Sequence, residues 1–174
     1  MVEFLEAIRD FTETGGQVLL VIGFLIFVMW LLILERVLYI LIWHKEIKND
    51  VLSQWQERQD KTSWNAEQIR QAAISRMVMA LNGSIPIIQA LVALCPLLGL
   101  MGTVTGMIEV FDVMAISGSG NARSMASGVS KATIPTMAGM VGALSGVFAS
   151  TWLTRKVKTE RAHLEDQIQL DRHI

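Results

Sequence analysis

The sequence has few of the residues that form disulfide bonds or bind metals. Its 174 residues include one cysteine, Cys95, and three histidines, His44, His163 and His173, that share no ligand-like spacing. A single cysteine excludes an internal disulfide framework and a multi-cysteine metal site. Since the sequence also lacks a recognisable nucleophile–base or metal constellation, we expect neither an enzyme nor a bound cofactor.

Charged residues are scarce too. They make up 18% of the chain, against about 25% in a typical soluble domain, while hydrophobic residues make up 52% and the mean hydropathy is +0.43. The net charge of −1 gives no indication of nucleic-acid binding. Asp, Glu, Lys and Arg are absent from three long stretches, residues 14–34, 77–108 and 132–154.

Each charge-free stretch is long enough to cross a membrane, because about 20 apolar residues in a helix span a hydrocarbon core of about 30 Å. The alternative, three buried helices of a soluble protein, is disfavoured because soluble helices seldom lack a polar face. The first stretch is apolar on nearly all sides, which predicts contact with lipid. The other two are rich in Gly, Ala, Ser and Thr, which predicts contact with protein. The sequence therefore predicts an all-α integral membrane protein with three transmembrane helices.

The residues before the first span predict a helix lying on the membrane surface. Phe4, Leu5, Ile8 and Phe11 fall on one helical face; a frayed terminus is the alternative. This start is acidic and the apolar core that follows is long, so we do not expect a cleaved signal peptide.

Basic residues set the expected orientation. Six Lys and Arg lie in residues 41–83 and five from Arg155 onward, whereas residues 1–13 hold only Arg9. Because positive loops stay in the cytoplasm, we expect a multi-pass membrane protein with its N-terminus on the outer side and its C-terminus in the cytoplasm.

The predicted segments follow from these boundaries. Helices two and three are expected to be long and to extend into the cytoplasm, with Ser63 or Asn65 capping a helix that continues into the second span. In chain order the segments are an external amphipathic helix at 1–13, transmembrane helix one at 14–41, a cytoplasmic helical segment at 42–83, transmembrane helix two at 84–111, an external turn at 112–127, transmembrane helix three at 128–154 and a cytoplasmic helical tail at 155–174. Leu153, Val157, Leu164 and Ile168 form an apolar stripe along the tail.

Small residues at helical spacing predict close helix packing within spans two and three. They are Gly102 and Gly106 in span two and Ala138, Gly142, Gly146 and Ser150 in span three. Pro96 and Pro135 lie in the same spans, and Pro135 leaves the carbonyl of Lys131 without its helical partner. A kink there is one interpretation; a proline tolerated without consequence is the other.

Thr103 and Thr136 are expected at nearly the same depth in an antiparallel hairpin, since each lies eight or nine residues from the connecting turn. A polar level inside the membrane fits a pore lining. The alternative is that each hydroxyl bonds the carbonyl one turn back, and the residues alone favour that alternative.

None of the three charge-free stretches contains a histidine either. Proton relays through membranes normally use Asp, Glu or His. If this chain forms part of a proton path, a partner must therefore supply the titrating group.

PLLGLMGTVTGMIEVF at 96–111, followed by GVSKATIPTMAGMVGALSGVFAS at 128–150, resembles the MotA/TolQ/ExbB proton-channel family, and within it the ExbB branch. The LER triplet at 34–36 also fits. The resemblance is close over spans two and three and extends to the topology of the whole chain.

The resemblance implies a homopentamer around a central pore that holds the transmembrane helices of two ExbD-like chains. Proton motive force would drive motion in this complex, and a TonB-like protein would pass it on to outer-membrane uptake of iron chelates and vitamin B12. A relative of the TolQ type, which maintains the outer membrane, is the alternative within the family, and a passive membrane scaffold is the alternative outside it. The resemblance assigns Thr103 and Thr136 to the pore lining.

Two departures accompany the resemblance. Lys131 stands where many relatives carry a glutamate, which inverts the charge at the mouth of the expected pore and leaves its role there in doubt. The chain is also shorter than typical ExbB proteins, which suggests a compact variant that needs an additional subunit.

Overall fold

The computed structural model describes residues 2–42, 63–117 and 122–168, together with Asn49, 51–53, Trp55 and Glu57. Regular structure in these ranges is helical throughout: α1 (Val2–Ile42), α2 (Trp64–Asn82), α3 (Ile85–Ser117) and α4 (Ala122–Gln167). Three segments are long and apolar enough to cross a membrane, Gly16–Ile42, Trp64–Ile116 and Met125–Gln167. The predicted all-helical protein with three candidate transmembrane helices is confirmed.

Helix α1 consists of two helices joined at Gly16. This glycine has φ 66° and ψ −165°, a conformation that residues with a Cβ rarely adopt. Residues 2–15 therefore form a helix separate from the first span. The apolar face predicted for Phe4, Leu5, Ile8 and Phe11 lies outside the described side chains and stays a prediction.

Helices α2 and α3 are separated by Gly83 and Ser84, so α2 does not run on into the second span as expected. Of the two candidate caps, Ser63 begins α2: its Oγ accepts a hydrogen bond of 3.2 Å from the amide of Ala66. The backbone of Gly83 is non-helical, with φ −5° and ψ −86°. Pro86 then stands in the first turn of α3, where its missing N–H leaves no helical bond unmade.

The chain divides into two compact units. Unit 1 contains Met1–Leu31 and Gln89–Val147, and unit 2 contains Leu32–Ile88 and Phe148–Ile174. In unit 1 the buried side chains include Ile22, Met29, Val92 and Cys95. The apolar stripe predicted along the tail is confirmed in unit 2, where Leu153, Val157, Leu164 and Ile168 are all buried.

The first span also has an exposed apolar face, apart from its buried residues such as Ile22 and Met29. Phe24 and Phe27 are 70% and 64% exposed, and Leu20, Leu31 and Leu34 are exposed as well. An apolar surface of this extent is not stable in water. It supports the interpretation of this segment as a membrane span.

Candidate functional site

Spans two and three approach each other in unit 1 along a line of glycines, called here the glycine seam. A Cβ on Gly99 would lie 2.9 Å from Cα of Thr136, and one on Gly139 would lie 2.5 Å from the carbonyl oxygen of Cys95. No side chain fits at such distances, so backbone contacts backbone, as in the small-residue packing of membrane helices. The contacts of the seam are Cys95 with Gly139, Gly99 with Thr136, Gly102 with Pro135, Gly106 with Ala132, and Val110 with Gly128.

The first span packs on the third through two further glycines. Gly142 lies against the side chain of Ile26, and a Cβ on Gly146 would meet Met29 Sδ at 2.6 Å as well as Val92. These two positions from the predicted small-residue stripe therefore accept side chains of span one. Ala138 is half-buried and Ser150 is buried, the latter in unit 2.

Sequence reasoning missed Gly99, Gly128 and Gly139 as members of the seam. A signal was present, because Gly99 precedes Gly102 by three residues and Gly139 precedes Gly142 by three. Positions three and four apart share a helical face. The predicted set contains only small residues four apart and therefore leaves out these neighbours.

The threonine pair lies beside the seam. Thr136 Oγ1 donates a hydrogen bond of 2.8 Å to the carbonyl of Gly99 on the facing helix. Thr103 Oγ1 instead donates 2.7 Å to Leu100 of its own helix. The residues alone favoured a hydrogen bond from each hydroxyl to the carbonyl one turn back in its own helix. This prediction is confirmed for Thr103 and is wrong for Thr136. Because Gly102 packs against Pro135, the two threonines lie within about one helical turn of the same depth.

The two hydroxyls act as hydrogen-bond acceptors toward any further group. Each has its hydrogen engaged by a carbonyl, and each keeps oxygen lone pairs. Such an oxygen receives a hydrogen bond from water or from a neutral carboxylic acid more readily than it donates one to a carboxylate. Both threonines are partly exposed.

Helices α3 and α4 continue through Pro96 and Pro135 without interruption. Pro135 is buried, and its ring fills the space beside Gly102. Its position in the seam gives this proline a packing role. The kink that the sequence allows at Pro135 stays a prediction.

A cavity of about 700 Å³ lies in unit 1 where the three spans begin or end near Gly16. Lys131 lines it, and so does Glu109. Sequence reasoning missed Glu109, which comes directly after the charge-free stretch that ends at Ile108. The other residues that line the cavity are Gly16, Gln17, Val18, Met101, Gly102, Thr105, Gly106, Val110, Val113, Met114, Met125, Gly128, Ala132 and Pro135.

Unit 2 contains a polar cluster around Arg36 of the LER triplet. Arg36 is 6% exposed, and its guanidinium donates bonds of 2.9 Å to the carbonyl of Ala80 and to Ser84 Oγ. A Cβ on Gly83 would collide with the guanidinium. Arg36 thus closes the carboxyl end of α2, where orphan carbonyls favour a cation.

The described residues contain no group of three or more His, Cys, Asp and Glu side chains able to hold a metal ion. The geometry is that of a helical membrane protein that places the hydroxyls of Thr103 and Thr136 beside its central helix contact. Comparison with known proteins identifies the class. The family model for the MotA/TolQ/ExbB proton channel family matches residues 42–166, and the chain belongs to that family.

Two curated relatives match parts of the chain. A Synechocystis protein, named as the biopolymer transport protein ExbB-like 1, is 46% identical over 61 residues, which is 33% of this chain and 24% of that protein. The Tol-Pal system protein TolQ of Haemophilus influenzae is 32% identical over 87 residues, 49% of this chain and 37% of that protein. The matches thus span 24% and 37% of the length of these two relatives.

Proposed function

We propose that this chain is the ExbB-like subunit of a proton-motive-force-driven motor in the bacterial inner membrane. Five copies surround a pore that holds two ExbD-like chains, and the motion energises a TonB-like protein for outer-membrane uptake of iron chelates and vitamin B12. The N-terminus is periplasmic and the C-terminus cytoplasmic. Family membership and the similarity to an ExbB-like relative support this proposal.

The observation that carries the proposal is the polar level formed by Thr103 and Thr136 beside the glycine seam. The seam brings two helix backbones together, and the threonine oxygens remain as acceptors beside that contact. No side chain in the surrounding charge-free stretches exchanges protons at neutral pH by the usual Asp, Glu or His chemistry. A partner carboxyl group supplies that chemistry.

The energetics of the cycle follow from desolvation. An ionised carboxylate resists leaving water, whereas protonation neutralises it and lets it pass an apolar surface. Threonine acceptors offer the neutral acid a hydrogen bond at that surface. Each proton that falls through about 100 mV supplies about 2.3 kcal/mol, so several protons per cycle suffice for mechanical work on the partner.

A TolQ-like role in outer-membrane maintenance is the second candidate, because the TolQ relative matches a larger share of this chain than the ExbB-like relative does. The two roles differ in the partner recruited. Affinity purification from cells that express both kinds of partner distinguishes them by the chain that is retained.

Native mass spectrometry tests the assembly. We expect five copies of the purified chain alone, and five copies with two partner chains when an ExbD-like protein is co-expressed. A monomer or dimer that captures no partner would remove the basis for a central pore and favour the passive scaffold.

A further inference from the structure

The cavity of unit 1 carries one positive and one negative side chain, and this combination is informative. Glu109 belongs to α3 and Lys131 to α4, and both line the same space. No ion pair joins them among the described residues, although Gly106 contacts Ala132 and Val110 contacts Gly128 on either side. The cavity thus offers the exposed side chains of a glutamate and a lysine, which are not paired with each other, to whatever occupies it.

The position of the cavity limits its occupant. Its lining includes Gly16, Gln17 and Val18, at the beginning of the first apolar span. The start of a span lies where the hydrocarbon core meets the headgroups of one leaflet. A Cβ on Gly16 would meet nothing within 4 Å, so no side chain of the described residues crowds the cavity at this point.

We propose that this cavity binds the headgroup of a zwitterionic phospholipid of the phosphatidylethanolamine type. Lys131 meets the phosphate and Glu109 meets the primary ammonium, each through a charge-assisted hydrogen bond. Valine and methionine side chains of the lining, such as Val113 and Met114, contact the glycerol and the first acyl carbons. A volume of about 700 Å³ is within the range of small-ligand sites and takes the headgroup region of the lipid.

The carboxylate of Glu109 decides between headgroup classes. An anionic lipid such as phosphatidylglycerol gains the contact with Lys131 but meets repulsion from Glu109. Phosphatidylcholine has a trimethylated ammonium and cannot donate an N–H to Glu109. The structure therefore assigns a preference in the order ethanolamine, then choline, then glycerol headgroups.

The inference requires only that the chain spans a membrane and is independent of the proposed motor function. Its test is native mass spectrometry of delipidated protein incubated with equal amounts of the three phospholipids. We expect about fivefold more retained phosphatidylethanolamine than phosphatidylglycerol, which is the difference in affinity that one partly exposed ion pair produces. This wild-type comparison needs no variant; equal retention of the three lipids would overturn the proposal.

Variants locate the site. Glu109→Gln is expected to lower the ethanolamine preference to near one, whereas Lys131→Gln lowers retention of every phospholipid. Asp112→Asn is the matched control, because this exposed acid lies one turn further along α3 and outside the cavity lining. A preference that survives Glu109→Gln contradicts the assignment. So does a carbodiimide cross-link between Glu109 of one copy and Lys131 of another, which identifies a second copy as the occupant.

Discussion

Units 1 and 2 hold their helices together in different ways. Unit 1 relies on glycines, with backbone against backbone at Gly99 and Gly139. Unit 2 relies on arginines that donate to main-chain carbonyls. Arg36 donates to Ala80, and Arg70 donates to Glu165 and Ile168.

The difference reflects the two solvents that the sequence predicts. Lipid is as apolar as a leucine side chain, so helices inside a membrane gain little from burying leucine and much from close contact of small residues. Near water, charged donors are available, and carbonyls at helix ends need partners. Helices α1 and α4, which belong to both units, therefore take part in both kinds of helix contact.

Gly139→Val should have the largest effect on stability. The added side chain would overlap the carbonyl of Cys95, and we expect a loss of about 3 kcal/mol, as in an overpacked core. Thermal unfolding in detergent measures it. Gly23→Val is the matched control, because a Cβ on Gly23 meets nothing within 4 Å. Equal losses of stability in the two variants would contradict the close contact of Gly139 with the backbone of Cys95.

Arg36→Met should cost about 2 kcal/mol, because it leaves partly buried groups of Ala80 and Ser84 without the donor that a buried arginine supplies. Arg36→Lys should not restore the loss, since one ammonium does not reproduce the guanidinium fork. Arg155→Met, at an exposed arginine of unit 2, provides the control in the same unfolding experiment. Full rescue by lysine would show that charge alone matters here.

Arg70→Ala should cost about 1 kcal/mol, less than Arg36→Met because the Arg70 side chain is 21% exposed. The change removes the donors to Glu165 and Ile168 at the end of α4. Hydrogen exchange should accelerate in residues 160–168 and stay unchanged around the seam. Arg76→Ala, at a nearby exposed arginine, should leave exchange in both regions as it was.

Thr136→Val should have a smaller effect than the preceding variants, a loss of about 0.6 kcal/mol, the average value of a hydrogen bond between membrane helices. Thr103→Val should change stability less, because the Thr103 hydroxyl bonds only within its own helix. Thermal unfolding of the two variants side by side makes the comparison. A greater loss for Thr103→Val would contradict the assignment of the cross-helix bond.

Much of the fold was predictable, because the length of the charge-free stretches and the spacing of the small residues can be read along a single helix. The three spans and the tail stripe from Leu153 to Ile168 follow from them. The break at Gly83 had a local signal that was missed, because Asn-Gly is a turn dipeptide and glycine commonly ends helices. The contact of Gly83 with Arg36 was not predictable, because Arg36 is remote in the chain. The cross-helix bond of Thr136 and the shared cavity of Glu109 and Lys131 likewise depend on the register of α3 against α4, which spacing along one helix does not contain.

The most direct test of the proposed motor is proton flux into liposomes that contain this chain and an ExbD-like partner, under an imposed membrane potential. The account predicts that the double variant Thr103→Val with Thr136→Val assembles normally and loses most of the flux, since it lacks both acceptors. Wild-type flux in a correctly assembled double variant would contradict the role of the threonine pair.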